Sequence, residues 1–106
     1  MKFKHYLEFD TSEEITESLR GGNKHLSDII VDIALKNIKT KRKKIPVASI
    51  SSHNYDLIYE IMIEREDLIP TLETNLTTME EYEDYETCQK ILEALKFLKN
   101  PTTIGL

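Results

Sequence analysis

The chain has 106 residues, of which 40% are apolar and 31% charged, a composition that suits one small folded domain and excludes a largely disordered chain. Its net charge of −5 is the sum of two regions of opposite sign. Residues 1–52 carry ten Lys and Arg against seven Asp and Glu, whereas residues 53–106 carry four Lys and Arg against twelve Asp and Glu. A basic part attracts polyanions, and an acidic part attracts basic proteins. No segment approaches the roughly 20 apolar residues that span a bilayer, so we expect a cytoplasmic protein without membrane partners.

Residues 1–44 predict a strand followed by two short helices. Apolar and polar residues alternate from Lys2 to Phe9, as in a half-buried strand. Asp10 or Thr11 then caps a first helix, which a pair of glycines ends. A second helix begins near its expected cap, Ser27, and its apolar residues are spread widely enough for burial on two sides. These apolar positions are Leu26, Ile29, Ile30, Val31, Ile33, Ala34, Leu35 and Ile38.

Residues 45–67 predict a connector of strand or helix. Ile45–Ile50 has the composition of a short strand. The segment Tyr55–Ile63 allows two interpretations, because its alternating apolar residues are typical of a strand while its Glu, Met and Leu residues favour a helix. The helix is the preferred interpretation, and a β-hairpin with Ile45–Ile50 is the alternative.

Residues 68–99 predict an antiparallel helical hairpin, followed by a tail at 100–106. Two apolar stripes with spacings of three and four residues flank a short polar bend. The first stripe contains Leu68, Leu72, Leu76 and Met79, and the second contains Tyr85, Cys88, Leu92, Leu95 and Leu98. The predicted fold class is therefore α+β and mostly helical, with an N-terminal strand, two short helices and a C-terminal hairpin.

Sequence motifs for catalysis and metal binding are absent. The chain has no glycine-rich phosphate loop, no paired cysteines and no HExxH helix. Its three histidines, His5, His25 and His53, fall in a strand, a turn and a connector. The carboxylates at 80–86 lack the spacing and the glycine of a calcium loop. We therefore expect no catalytic residue, metal or cofactor, and we expect Cys88 to be a buried, unreactive thiol.

The segment KFKHYLEF, a capped helix, a GGN turn and a helix that begins SDIIVDIAL together resemble the ribbon-helix-helix family of DNA-binding proteins. The resemblance implies a homodimer whose paired strands enter the major groove of duplex DNA, with a phosphate held at the start of the second helix. Ile30, Ile33 and Ala34 would then belong to the dimer core. The implied DNA contacts are Lys2, Lys4 and Tyr6 on the strand, and Lys24, His25 and the backbone of Ser27 at the turn.

The segment LETNLTTMEEYEDYETCQKILEALKFL, residues 72–98, resembles the helical hairpin called the UVR motif, which is found in excision-repair proteins and chaperone-linked adaptors. The resemblance implies a hairpin that contacts other proteins. Tyr82 and Tyr85 suit an interface because they are large and rigid and have a polar tip. They could instead close the hairpin against the rest of the fold. The candidate protein-binding residues are Glu80, Glu81, Tyr82, Asp84 and Tyr85.

The six basic residues from Lys36 to Lys44, which we call the basic run, also allow two interpretations. Cations are favoured at the C-terminal end of a helix, so the run is either a set of solvated charges at that end or an anion-binding surface. It contains no aromatic residue, which disfavours a stacking surface for single strands. The candidate nucleic-acid contacts here are Lys39, Lys41, Arg42, Lys43 and Lys44.

The sequence thus predicts a small non-enzymatic regulatory protein that forms a homodimer, as compact repressors and antitoxins do. Its basic part would bind duplex DNA, and its acidic hairpin would bind a basic protein partner. Two alternatives stay open. In the first, the acidic stretch Glu60–Glu86 imitates a polyanion and inhibits a basic nucleic-acid-handling protein, in the manner of phage or mobile-element inhibitors. In the second, the chain is a structural assembly subunit.

Overall fold

A computed structural model describes residues 3–19, 23–53 and 58–99. It confirms the α+β class, with an N-terminal strand and a C-terminal pair of helices. Apolar residues from all parts of this range form one core. The elements in chain order are β1 (Tyr6–Phe9), α1 (Ser12–Glu17), α2 (Lys24–Asn37), β2 (Lys44–Ser52), β3 (Ile58–Glu64), one 3₁₀ turn (Arg65–Asp67), α3 (Leu68–Glu81) and α4 (Tyr85–Lys99).

The three strands form one sheet in the order β1-β2-β3. β1 lies parallel to the last residues of β2, with Tyr6 opposite Ser49 and Phe9 opposite Ser52. β3 lies antiparallel to β2 along most of its length, with an irregularity next to Pro46. Because β1 is short, residues 44–48 of β2 have no described strand on the β1 side. Pro46 lies in this part of β2, and because proline has no N–H to donate to a neighbouring strand, its place beside an unpaired edge leaves no hydrogen bond unmade.

The preferred helix at Tyr55–Ile63 was wrong for the residues that the structure describes, because Ile58–Glu64 is a strand. The hairpin alternative is correct, although residues 54–57 lie outside the described ranges. Helix propensity differs by only a few tenths of a kcal/mol among such residues. Pairing with β2 outweighs this preference, since it places Ile61 opposite Ala48 and Ile63 opposite Ile45 in the core.

Helix α2 contacts the sheet on one side and the α3–α4 pair on the other, which confirms the predicted burial on two sides. Its start was misplaced, since it begins at Lys24 and is capped by Asn23, whose side chain accepts a hydrogen bond from the Leu26 N–H. Ser27 is therefore no cap. Its hydroxyl is buried and donates to the Asn75 amide oxygen of α3, so this polar residue joins two helices. At α1 the cap is Thr11.

The C-terminal hairpin is confirmed, but two of the five residues of its predicted second stripe are exposed. Tyr85 and Leu92 are exposed at 66% and 49%, whereas Ile91 and Ala94 are buried. Cys88, Leu95 and Leu98 of the predicted stripe do face the core, so the error is confined to Tyr85 and to the choice of Leu92 in place of Ile91. The first stripe is correct, since Leu68, Leu72 and Met79 are fully buried and Leu76 packs against the core. The predicted tail lies outside the described ranges.

Candidate functional sites

The basic run lies on the surface where α2 ends and β2 begins. Lys39, Lys41, Arg42, Lys43 and Lys44 are all exposed. Within the described part of the chain, none of these five side chains forms an ion pair. The ammonium of Lys39 lies 5.5 Å from the centre of the Phe97 ring. Five of the six charges of the run are therefore not balanced by an ion pair within the described residues.

Arg65, the single cation of the acidic stretch, holds the end of α2 and the start of the basic run in place. Its guanidinium donates to the carbonyl oxygens of Asn37 and Arg42, both at 2.9 Å, and more weakly to that of Ile38 at 3.4 Å. It also donates to the Thr40 hydroxyl at 2.8 Å. The last carbonyls of a helix carry a partial negative charge. At the end of α2 they accept hydrogen bonds from Arg65, which directly follows β3.

A cleft opens between the end of α2, the loop that follows this helix and Lys4, which lies two residues before β1. Three cations line it, Lys4, Lys36 and Arg42, each from a different segment, and no carboxylate does. Lys36 also contacts Asp32, one turn earlier on α2, at 3.0 Å. Ile33, Asn37, Thr40 and Pro46 complete the wall of this cleft, which we call the basic cleft. Its volume is about 280 Å³.

The predicted DNA contacts at the turn lie at the other end of α2. Lys24 precedes Lys36 by twelve residues, or about 18 Å of helix, so the structure does not bring Lys24 and His25 together with the basic run. The Lys24 ammonium instead bridges Asp28 at 2.8 Å and Asp84 at 3.0 Å. Hydrogen bonds to Asp28 and Asp84 raise the pKa of Lys24, and the hydrogen bond from Lys24 lowers the pKa of Asp84.

The strand contacts implied by the family resemblance fall on the solvent side of the sheet. Tyr6 is 71% exposed and shares that side with Ser49 and Glu60, its register partners across the sheet. Lys4 is exposed as well. Lys2 lies outside the described residues. The alternation predicted for this strand is thus present, with Lys4, Tyr6 and Glu8 outward.

Residues 80–86, which we call the acidic bend, join α3 to α4. Glu83 has a φ of 58°, and its N–H donates to the Glu80 carbonyl while the Asp84 N–H donates to that of Met79, the pattern of a left-handed helix stop. Asp84 then caps α4 by accepting hydrogen bonds from the N–H and the hydroxyl of Thr87.

The remaining members of the bend face solvent. Tyr82 is 52% exposed and Tyr85 66%, and Glu80 and Glu81 are exposed beside them. Neither tyrosine closes the hairpin against the core. Of the five candidate protein-binding residues, only Asp84 is held by the rest of the fold, through Lys24.

Groups suited to redox or metal chemistry are sparse in the described ranges. No three His, Cys, Asp or Glu side chains there lie close enough together to hold a metal ion. Cys88 is buried, and burial raises the pKa of its thiol, as do the charges of Glu80 and Asp84. A raised pKa reduces the thiolate fraction on which cysteine reactivity depends. Among the described helices, none is both long and apolar enough to cross a membrane.

Sequence reasoning assigned no role at the basic end to four residues that shape it. Lys36 belongs to the basic run but was not singled out as a contact, although its position at the helix end was a usable signal. Asn37 and Thr40 carry no distinctive pattern. Arg65 stood out as the one cation among ten carboxylates, which marked it as unusual without indicating its partner.

Comparison with protein-family models, with curated proteins and with solved structures gave no match. The resemblances to the ribbon-helix-helix family and to the UVR motif therefore stay predictions that rest on the residues quoted for them.

Proposed function

We propose that the protein is a small non-enzymatic regulatory protein whose basic end binds duplex DNA and whose acidic bend binds a basic protein partner. One observation carries the first part, namely that five neighbouring cations, Lys39 to Lys44, form no ion pair in the described ranges. The alternative, in which the run consists of solvated charges favoured by the C-terminal end of α2, loses support because Arg65 already binds the last carbonyls of this helix. Unpaired surface cations release the counterions of DNA when they bind its phosphates.

A homodimer is part of this proposal. β1 is an edge strand, and on the side away from β2 no described strand pairs with it. An open edge is a template for a strand of another chain, and pairing with a second β1 would place two copies of Lys4 and Tyr6 on one surface. The mass of the protein in solution tests this step, and a monomer at every accessible concentration would contradict it.

DNA binding is tested by measuring affinity for a short duplex over a range of salt concentrations. Each phosphate neutralised contributes about 0.9 to the slope of log K against log salt. The double variant Lys41→Ala, Lys43→Ala should therefore bind more weakly and lower the magnitude of that slope by about 2. A matched control, Lys90→Ala with Lys99→Ala, removes the same charge from α4. Equal effects of both pairs, or no retardation of DNA at low salt, would refute the proposal.

The acidic bend favours a second candidate function, inhibition of a basic nucleic-acid-handling protein by imitation of a polyanion. Exposed carboxylates beside two exposed tyrosines combine charge with apolar contact area, which suits a basic and partly apolar groove. Capture from cell extract provides the test. Reversal of Glu80 and Glu81 to Lys should abolish capture of a basic protein, whereas reversal of Glu66 and Asp67, outside the bend, should not. Capture that both reversals leave intact would exclude the bend as the binding surface.

A further inference from the structure

We propose that the basic cleft is a binding site for one phosphate group, carried either by nucleic acid or by a small phosphorylated molecule. For nucleic acid, the inference rests on the proposed function and specifies the point of contact. For a small phosphorylated molecule, it is independent of DNA binding.

The first argument is the convergence of unpartnered cations. Lys4 and Arg42 are distant in sequence, yet both line the cleft, and neither side chain has a hydrogen-bond or ion-pair partner among the described residues. Lys36 adds a third positive charge, and its pairing with Asp32 leaves its side chain 65% exposed. Like charges that lie together repel each other, so an anion between them lowers the free energy of the folded protein.

The second argument concerns the helix end. The cleft lies at the C-terminal end of α2, where the partial negative charge of the helix would ordinarily oppose an anion. Arg65 removes this obstacle, because its guanidinium binds the carbonyls of Asn37 and Ile38. The same side chain holds the Arg42 carbonyl and the Thr40 hydroxyl. The backbone around Arg42 is therefore ordered before any ligand arrives, which lowers the cost of binding.

The third argument is size and lining. At about 280 Å³ the cleft is below the roughly 300–1,000 Å³ of sites for drug-sized ligands, and this suits one phosphate with the adjoining part of its ester. Ile33 and Pro46 supply apolar wall for that part. A guanidinium binds phosphate oxygens in pairs, and three cations match a doubly charged group better than a carboxylate.

Titration of the full-length protein with inorganic phosphate and with pyrophosphate, at constant ionic strength, tests the site. Backbone amide resonances of Lys4 and of residues 36–42 should shift saturably. Arg42→Ala should weaken binding about tenfold, the equivalent of one charged hydrogen bond. Lys43→Ala is the matched control, because it removes the same charge from the next residue, which does not line the cleft, and it should change affinity less than about twofold. Unfolding midpoints without ligand verify that both variants are folded.

The outcomes separate this proposal from DNA binding. Saturable phosphate binding that Arg42→Ala alone weakens supports the cleft, whether or not duplex DNA binds. If phosphate binds in this way and DNA does not, the ligand is a small phosphorylated molecule and the proposed function fails. If DNA binds but phosphate shifts are linear in concentration, or Arg42→Ala and Lys43→Ala weaken binding equally, the cleft proposal is overturned and a diffuse basic surface remains.

Discussion

Replacing Arg65 with alanine removes the side chain that joins β3 to the end of α2. Three of its hydrogen bonds are 2.8–2.9 Å long, to the Asn37 and Arg42 carbonyls and the Thr40 hydroxyl. Each contributes about 0.5–1.5 kcal/mol net, and we take the lower half of that range because Arg65 is half-buried. The loss of a cation at a helix end adds about 0.3–1 kcal/mol. The free energy of unfolding should therefore fall by roughly 2–4 kcal/mol.

Urea unfolding measures this change. With a slope typical of small proteins, the urea midpoint should fall by about 1–2 M, and the melting temperature by about 10–20 °C. Arg65→Lys keeps the charge but not the planar set of donors, so it should recover only part of the loss. Arg42→Ala, an exposed arginine that contributes only its backbone carbonyl to this network, should cost less than about 0.5 kcal/mol. Equal stabilities of the Arg65 and Arg42 variants would refute the assigned role of Arg65.

The contact between Lys24 and Asp84 should be sensitive to pH at both extremes. The pKa of Asp84 is lowered, so its contribution to stability is complete above the ordinary carboxyl pKa and is lost as the pH falls through the pKa of the folded state. The pKa of Lys24 is raised, so its contribution is lost as the pH rises through the folded-state pKa of Lys24. Asp84→Asn keeps the helix cap but has no charge to lose, so its urea unfolding midpoint should fall less than that of the unmodified protein as the pH is lowered. Glu83→Gly should raise the free energy of unfolding by roughly 1 kcal/mol in urea titrations, because glycine adopts a positive φ without strain. Ile91→Ala should cost about 2–5 kcal/mol and Leu92→Ala less than about 0.5, and equal costs would contradict the burial pattern of α4.

Local patterns in the sequence predicted most of the helices. The cap at Thr11 and the first stripe of the hairpin rest on contacts within a few residues, which a sequence displays directly. The start of α2 was missed because Asn23 and Ser27 are both good caps, and only tertiary structure shows that Ser27 is buried against Asn75. The error at Leu92 in the second stripe has a similar cause, since Leu92 is as apolar as Ile91 but lies on a face that nothing in the described chain covers.

Long-range pairings could not be predicted in this way. The strand β3 depends on its partner β2, because the Glu and Met residues within β3 favour a helix when that segment is considered alone. The basic cleft depends on the fold bringing Lys4 and Arg42, 38 residues apart in the sequence, to line the same cleft, and on the Arg65 guanidinium, which follows β3. The sequence displayed the basic run and the solitary Arg65, but the meeting of Arg65 with the end of α2 follows from the fold and not from any local pattern.

The unequal division of charge is arranged along α2. The acidic bend is attached at the start of this helix through Lys24 and Asp84, and the basic run extends from its end, where Arg65 binds the last carbonyls. Each charged region is thus anchored by one cation, while its other charges face solvent. If attraction between the two parts held the fold together, salt would destabilise the protein by screening it. Five of the six cations of the basic run form no ion pair within the described chain, so we expect the stability to change little with salt, whereas the proposed DNA binding should weaken steeply as salt rises.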